Sequence, residues 1–221
     1  MTGTAMASGQ NRNSPMPWCR PGNALRMSTG APGRSTRCRS RAAAGRSGKR
    51  IVAQRVPHLG GEKGSLQASL DRHRDAVLWK LQGLTDAELR HAMLPSGNTL
   101  LGLVKHLATW EYIWICRTFG QPTEQLPIDG GDDYADVRID PHDSTAGILA
   151  FYRRARGAAD EVISRVGLDE VGTTMFDDSV SLRWVVIHIL EDTARHAGHI
   201  DVMRELIDGA VGDHQCDESA N

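Results

Sequence analysis

SLRWVVIHILEDTARHAGHIDVMRELIDG, residues 181–209, is the stretch on which the fold turns. Ser181 is a hydroxyl residue of the kind that caps a helix start, and Gly209 is the residue type that most often ends one, so the whole segment reads as one long helix. Each residue of an α-helix turns by about 100° and rises about 1.5 Å, which puts His188, Asp192, His196 and His199 along one stripe. They cannot all serve one ion. His188 and His196 lie about 12 Å apart along the axis, whereas metal bonds to nitrogen or oxygen are about 2.0–2.2 Å long. Neighbouring pairs, 188 with 192, 192 with 196 or 196 with 199, share a face and remain open as ligand pairs. A third ligand must then come from another element. The plain alternative is an ordinary helix in which Glu191 and Arg195 form a surface i,i+4 pair and Asp192 is solvated.

Working outward, three more helix-like segments precede this one. GEKGSLQASLDRHRDAVLWKLQGL, residues 61–84, sets Leu66, Leu70, Val77, Leu78 and Leu81 at near-helical spacing. LTDAELRHAMLPSGN breaks the pattern at Pro95 and Gly97. TLLGLVKHLATWEYIWICRTFG, residues 99–120, opens after Ser96 or Asn98 as cap, closes at Gly120, and is apolar nearly all round, the mark of a helix buried on several sides. STAGILAFYRRARGAADEVISRV, residues 144–166, starts at Asp143 or Ser144 and carries Ile148, Leu149, Tyr152, Ala155, Ala159, Val162 and Val166 along one side. The long polar stretch QPTEQLPIDGGDDYADVRIDPHD joins the second helix to the third, and a connection of that length is functional or mobile. Alternating β-branched runs are scarce, so no sheet is predicted. The expected fold class is all-α: a four-helix bundle over residues 57–210. Trp110, Tyr112, Trp114 and Trp184 read as core, with some of that surface available for a dimer contact.

Charge separates this domain from what precedes it. Residues 1–60 carry eleven Lys or Arg and no acid, leaving 15 basic and 27 acidic residues for the remainder. Residues 1–56, rich in Gly, Ser, Pro and Arg, lack apolar periodicity and are predicted to be a disordered basic extension, with a disordered tail at 211–221. A nucleic-acid arm, an organelle transit peptide and an upstream extension outside the functional protein compete for the first segment, and the last is favoured. The acidic domain itself would repel phosphate, so no nucleic-acid partner is expected. Cys19, Cys38, Cys116 and Cys216 are far apart and form no C-x-x-C pair, which argues against a disulfide framework or a cysteine zinc site. No apolar run is long enough for a bilayer, and the expectation is a cytoplasmic protein with no membrane partner.

The best donor outside the last helix is His106, set among leucines in LLGLVKHLATW, where a buried imidazole needs a hydrogen-bond or metal partner. Facing helices of a bundle are where such ligands converge. A lone histidine on an apolar helix is nonetheless often just a satisfied core residue. His58, His73, His91, His142 and His214 sit in polar surroundings and read as surface.

SGNTLLGLVKHLATWE, followed by WVVIHILEDTARHAGHIDVMRELIDG, resembles the DinB-like metalloenzyme superfamily, in a branch related to mycothiol-dependent maleylpyruvate isomerase. The resemblance runs over about residues 57–210. It implies an up-and-down bundle holding a divalent metal through His106 of the second helix and Asp192 and His196 of the fourth. Relatives commonly carry His or Glu at the place of Asp192, which leaves Glu191 as a substitute ligand. His188, Glu191 and His199 are the candidates for supporting the ligands from behind. Two imidazoles and a carboxylate leave a coordination position open, as catalytic zinc sites do, and nickel or iron suits the same donors. The implied function is a metal-dependent thiol S-transferase or isomerase, with a low-molecular-weight thiol such as mycothiol and an electrophile as partners and a homodimer as assembly. A non-catalytic metal- or ligand-binding bundle of stress response and a metal-dependent hydrolase are the alternatives.

Overall fold

The computed structural model describes residues 56–212, so the expectations for the basic extension and the tail lie almost wholly outside the described residues. Within them the chain is a four-helix bundle with small additions. Helix α1, Glu62–Lys80, buries Leu70, Ala76 and Val77, but also Arg74 and Lys80. The apolar stripe read from the sequence therefore has charges set into it. Helix α2, Asp86–Arg90, lies where only a break was expected. Thr85 and Glu88 explain it: the Thr85 hydroxyl accepts from the Glu88 backbone N–H, the Glu88 carboxylate accepts from that of Thr85, and Leu89 is buried beneath.

Helix α3, Leu100–Glu111, is capped by Thr99, not by Ser96 or Asn98, because the Thr99 hydroxyl is the one that reaches the Gly102 N–H, at 2.9 Å. Every residue from Leu100 to Thr109 is buried. Each leucine taken from water in this way contributes about 1.5–3 kcal/mol, so α3 is the energetic centre of the bundle. It does not continue as an α-helix to Gly120. A wider π-helical turn, Tyr112–Cys116, and a 3₁₀ turn, Arg117–Phe119, follow before Gly120 stops the chain at φ 71°.

Helix α4, Thr145–Arg165, starts from Ser144, whose hydroxyl accepts from the Gly147 N–H, and buries Ile148, Tyr152, Ala155, Ala159 and Val162 as its periodicity predicts. Helix α5, Leu182–Asp208, is bounded by the Ser181 cap and by Gly209 at φ 77°. The main packing pairs are α1 with α5 and α3 with α4, while α3 also touches α5. One expectation is corrected: strands β1, Val171–Thr173, and β2, Ser179–Ser181, pair antiparallel with Gly172 opposite Val180. Strands of three residues leave no alternation to read. Trp184, expected in the core, is 46% exposed: Leu182 and Val185 of the same stretch take the buried face, and the Trp184 ring lies against Trp114 and His188. Among the described residues no helix is long and apolar enough to cross a membrane.

Candidate metal centre

The contact of α3 with α5 brings His106, Asp192 and His196 together. Their donor atoms all lie within 4.8 Å of one another, and they are the metal-capable group of three found among the described residues. His196 Nε2 is 3.3 Å from Asp192 Oδ1, and His106 Nε2 is 4.0 Å from Asp192 Oδ2. The two imidazoles meet edge to face with centroids 4.8 Å apart. Donors about 2.0–2.2 Å from a tetrahedral ion stand about 3.3–3.6 Å from each other, so the widest separation in this set has to close by about 1.2–1.5 Å to hold one. His106 and His196 are buried, while the half-buried Asp192 marks the side open to solvent.

A fourth residue, which reading the sequence missed, completes the arrangement. Asp136, from the long loop between α3 and α4, is 1% exposed, and its Oδ2 lies 2.7 Å from His106 Nδ1 and 2.8 Å from the indole Nε1 of Trp110. An ionised carboxylate can only accept, so against it Nδ1 carries a ring proton, and Nε2 is the nitrogen that faces Asp192. The signal available was the length of the loop and its cluster of acids, but nothing in a loop's sequence says which acid turns inward.

Two buried polar atoms here lack a hydrogen-bond partner, Asp136 Oδ1 and His196 Nδ1. Tyr152 Oη and Thr193 Oγ1, outside the donor set, lack one as well. The nitrogen and oxygen donor chemistry of His106, Asp192 and His196 fits a divalent cation. Burial pushes the Asp192 carboxyl up, but the hydrogen bond from His196 and the nearby imidazoles outweigh it and hold the group below the usual carboxylate range. Asp192 is therefore an ionised donor at neutral pH.

The proposed supporting residues fall in different places. His199 packs edge-on against His196, with centroids 5.5 Å apart, and burial lowers its pKa, helped by His196 and Arg195. His188 instead stacks on Trp184 at 4.9 Å and meets the edge of Trp114 at 4.6 Å, beside the donors rather than behind them. Burial lowers its pKa against the opposing pull of Asp192 and Glu191. Glu191 is exposed, on the outer face of α5, and does not join the cluster. Of the histidines read as surface, His58, His91 and His142 are exposed, His73 is half-buried on the helix that carries Arg74, and His214 lies outside the described residues.

Cys116 is the cysteine among the described residues, and it is fully buried. Burial, with the charge of Glu111, pushes its thiol up to about 12. A thiol so placed is neither accessible nor ionised, and it is no nucleophile.

A family model described as mycothiol-S-transferase matches residues 65–209, a span that contains His106, Asp136, Asp192 and His196. No curated protein matches the chain.

Proposed function

The chain belongs to the mycothiol S-transferase family of DinB-like proteins, and from that premise we propose that it is a divalent-metal-dependent transferase joining a small thiol of the mycothiol type to an electrophile. In the reaction a new sulfur–carbon bond forms, the bond from that carbon to its leaving group breaks with the electron pair going to the leaving group, and the thiol proton passes to solvent. The observation that carries this reading is the convergence of two imidazoles and one carboxylate from α3 and α5 at 3.3 and 4.0 Å.

His106, Asp192 and His196 would hold the cation, zinc first on the chemistry of the donors, with nickel or iron also suited. Once bound, such a cation lowers the pKa of a thiol that reaches it, supplying thiolate near neutral pH. The rest falls to the chain. Asp136 holds the Nδ1 side of His106, so that Nε2 faces the site. Asp192, on the solvent side, lines the route by which a thiol arrives. Among the described residues the cysteine, Cys116, is buried and supplies no sulfur, and the thiol of this reading comes from solution.

The test is metal analysis of the purified protein, followed by thiol consumption with mycothiol, bacillithiol or glutathione against a chlorodinitrobenzene. Near-stoichiometric metal, and turnover lost in His106→Ala and His196→Ala, is the expected result. Metal contents identical in wild type and both variants would sink the site, and bound metal without thiol consumption above the variant background would make the protein a binder.

A further inference from the structure

Three α3 residues besides His106 hold the same short piece of the long loop. Trp110, one turn after His106, donates its indole N–H to Asp136 Oδ2. Lys105 donates to the Arg138 carbonyl at 3.0 Å and to Asp143 at 2.8 Å. Gly102, one turn before His106, meets the carbonyl oxygen of Val137 so closely that a Cβ built on it would stand 2.2 Å away. A side chain of any size at that position would lift the loop off the helix. The backbone beside Asp136 is therefore seated by Gly102, flanked by Lys105, and tied by its own carboxylate to His106 and Trp110.

We propose that loop residues 136–138 form the orienting layer of the metal centre, with Asp136 as a positioning residue for His106 and Gly102 as the seat that lets it reach. The proposal rests on the metal reading above. A histidine that ligates through Nε2 binds well when its other nitrogen donates to a carboxylate, which fixes the ring's tautomer and angle and raises its basicity. Among the described residues no Arg or Lys pairs with the Asp136 carboxylate, and its Oδ1 has no partner. A buried negative charge is costly unless a positive charge lies near. A cation on the far nitrogen of His106 supplies one through the ring.

Competition against a chromophoric chelator, with Zn2+ or Co2+ and the full chain, measures the effect. Asp136→Ala is expected to weaken metal binding about 10- to 100-fold, the range typical of lost partners behind metal ligands. Asp136→Asn, which keeps an acceptor but not the charge, falls between it and wild type. Gly102→Ala also weakens binding, although it alters neither a donor nor Asp136, and combining it with Asp136→Ala adds little, because both act through one loop. In metal-free protein, nitrogen NMR should show His106 protonated at Nδ1 in wild type and redistributed between its nitrogens in Asp136→Ala. Wild-type affinity with an unchanged His106 tautomer in Asp136→Ala would overturn the proposal, as would full additivity of the two substitutions. If wild type takes up no metal, the transferase reading fails, whereas the tautomer measurement still decides the role of Asp136.

Discussion

Helix α3 carries two buried polar clusters, and they are built on opposite terms. Around Glu111, the cation is the protein's own. Arg74 donates to both Glu111 oxygens at 2.9 and 2.6 Å and to Asp71 and Asp160 at 2.9 and 2.8 Å. Burial works against the Arg74 charge, but Glu111 and Asp160 more than restore it and hold its pKa above the ordinary value. Around His106 the balance is left open: two carboxylates and two imidazoles converge, and among the described residues no Arg or Lys pairs with the two carboxylates. The first cluster is a closed tie between α1, α3 and α4. The second has the composition of a site awaiting a positive charge, and the comparison teaches that burial of charge alone does not separate a tie from a site. What separates them is whether the protein itself completes the set.

The largest effect that would sharpen this contrast is on the closed cluster. Glu111→Ala takes the buried partner from Arg74 Nε and Nη2, leaving only the Nη1 contacts to Asp71 and Asp160, and should cost about 3 kcal/mol in urea unfolding, with no recovery on adding metal. A loss under about 1 kcal/mol would mean the tie is not one. At the open cluster the roles reverse: saturating wild type with Zn2+ at about 100 times its dissociation constant should stabilise it by about 2.7 kcal/mol, and His106→Ala or His196→Ala should abolish that gain. An equal metal-induced rise in melting temperature in these variants would erase the distinction. Thr99→Ala removes the cap of the helix that bears both clusters and should cost about 1 kcal/mol with metal or without it. A loss seen in only one of the two conditions would show that the helix start serves one cluster rather than both.

The smallest predicted effect is a slope. The folded protein lowers the His188 pKa below its usual 6.5, so between the two values the unfolded chain binds more protons and stability rises with pH. The contribution is therefore intact above about 6.5 and is lost as pH falls through the folded value. His188→Gln should narrow the gap in unfolding midpoint between about pH 7.5 and pH 5. A gap that does not narrow would show that His188 is not sensed through its burial against Trp114 and Trp184.

Much of the bundle was legible because its signals are local. Ser144, Ser181 and Gly209 cap or stop helices through their own backbone neighbours, and the α4 stripe follows from 3.6-residue periodicity alone. Thr99 was missed because Ser96 and Asn98 offer the same chemistry next door, and only the turn before α3 decides which hydroxyl reaches the Gly102 N–H. Helix α2 was readable in principle from the spacing of Thr85 and Glu88. The hairpin was not, being too short to show alternation. As for the site, helix geometry left three pairs open and His106 stood out among leucines as the best donor elsewhere, and the family resemblance selected Asp192 with His196 to go with it. Asp136 and Gly102 stayed hidden, since a loop acid turned inward and a helix glycine pressed against a carbonyl depend on contacts between distant segments.

The pairing of α1 with α5 sets the order in which a nascent chain can fold. The first helix of the bundle finds its main neighbour in the last, which leaves the ribosome only after the other helices of the bundle. Domains synthesised from the N-terminus at about 5–20 residues per second hold such a helix waiting for seconds. In that interval α3 and α4 can already pack on each other, and Glu111 and Asp160 on them give Arg74 a place to dock before α5 exists. Asp192 and His196 come with α5, so the tie is available during synthesis and the metal centre only at its end.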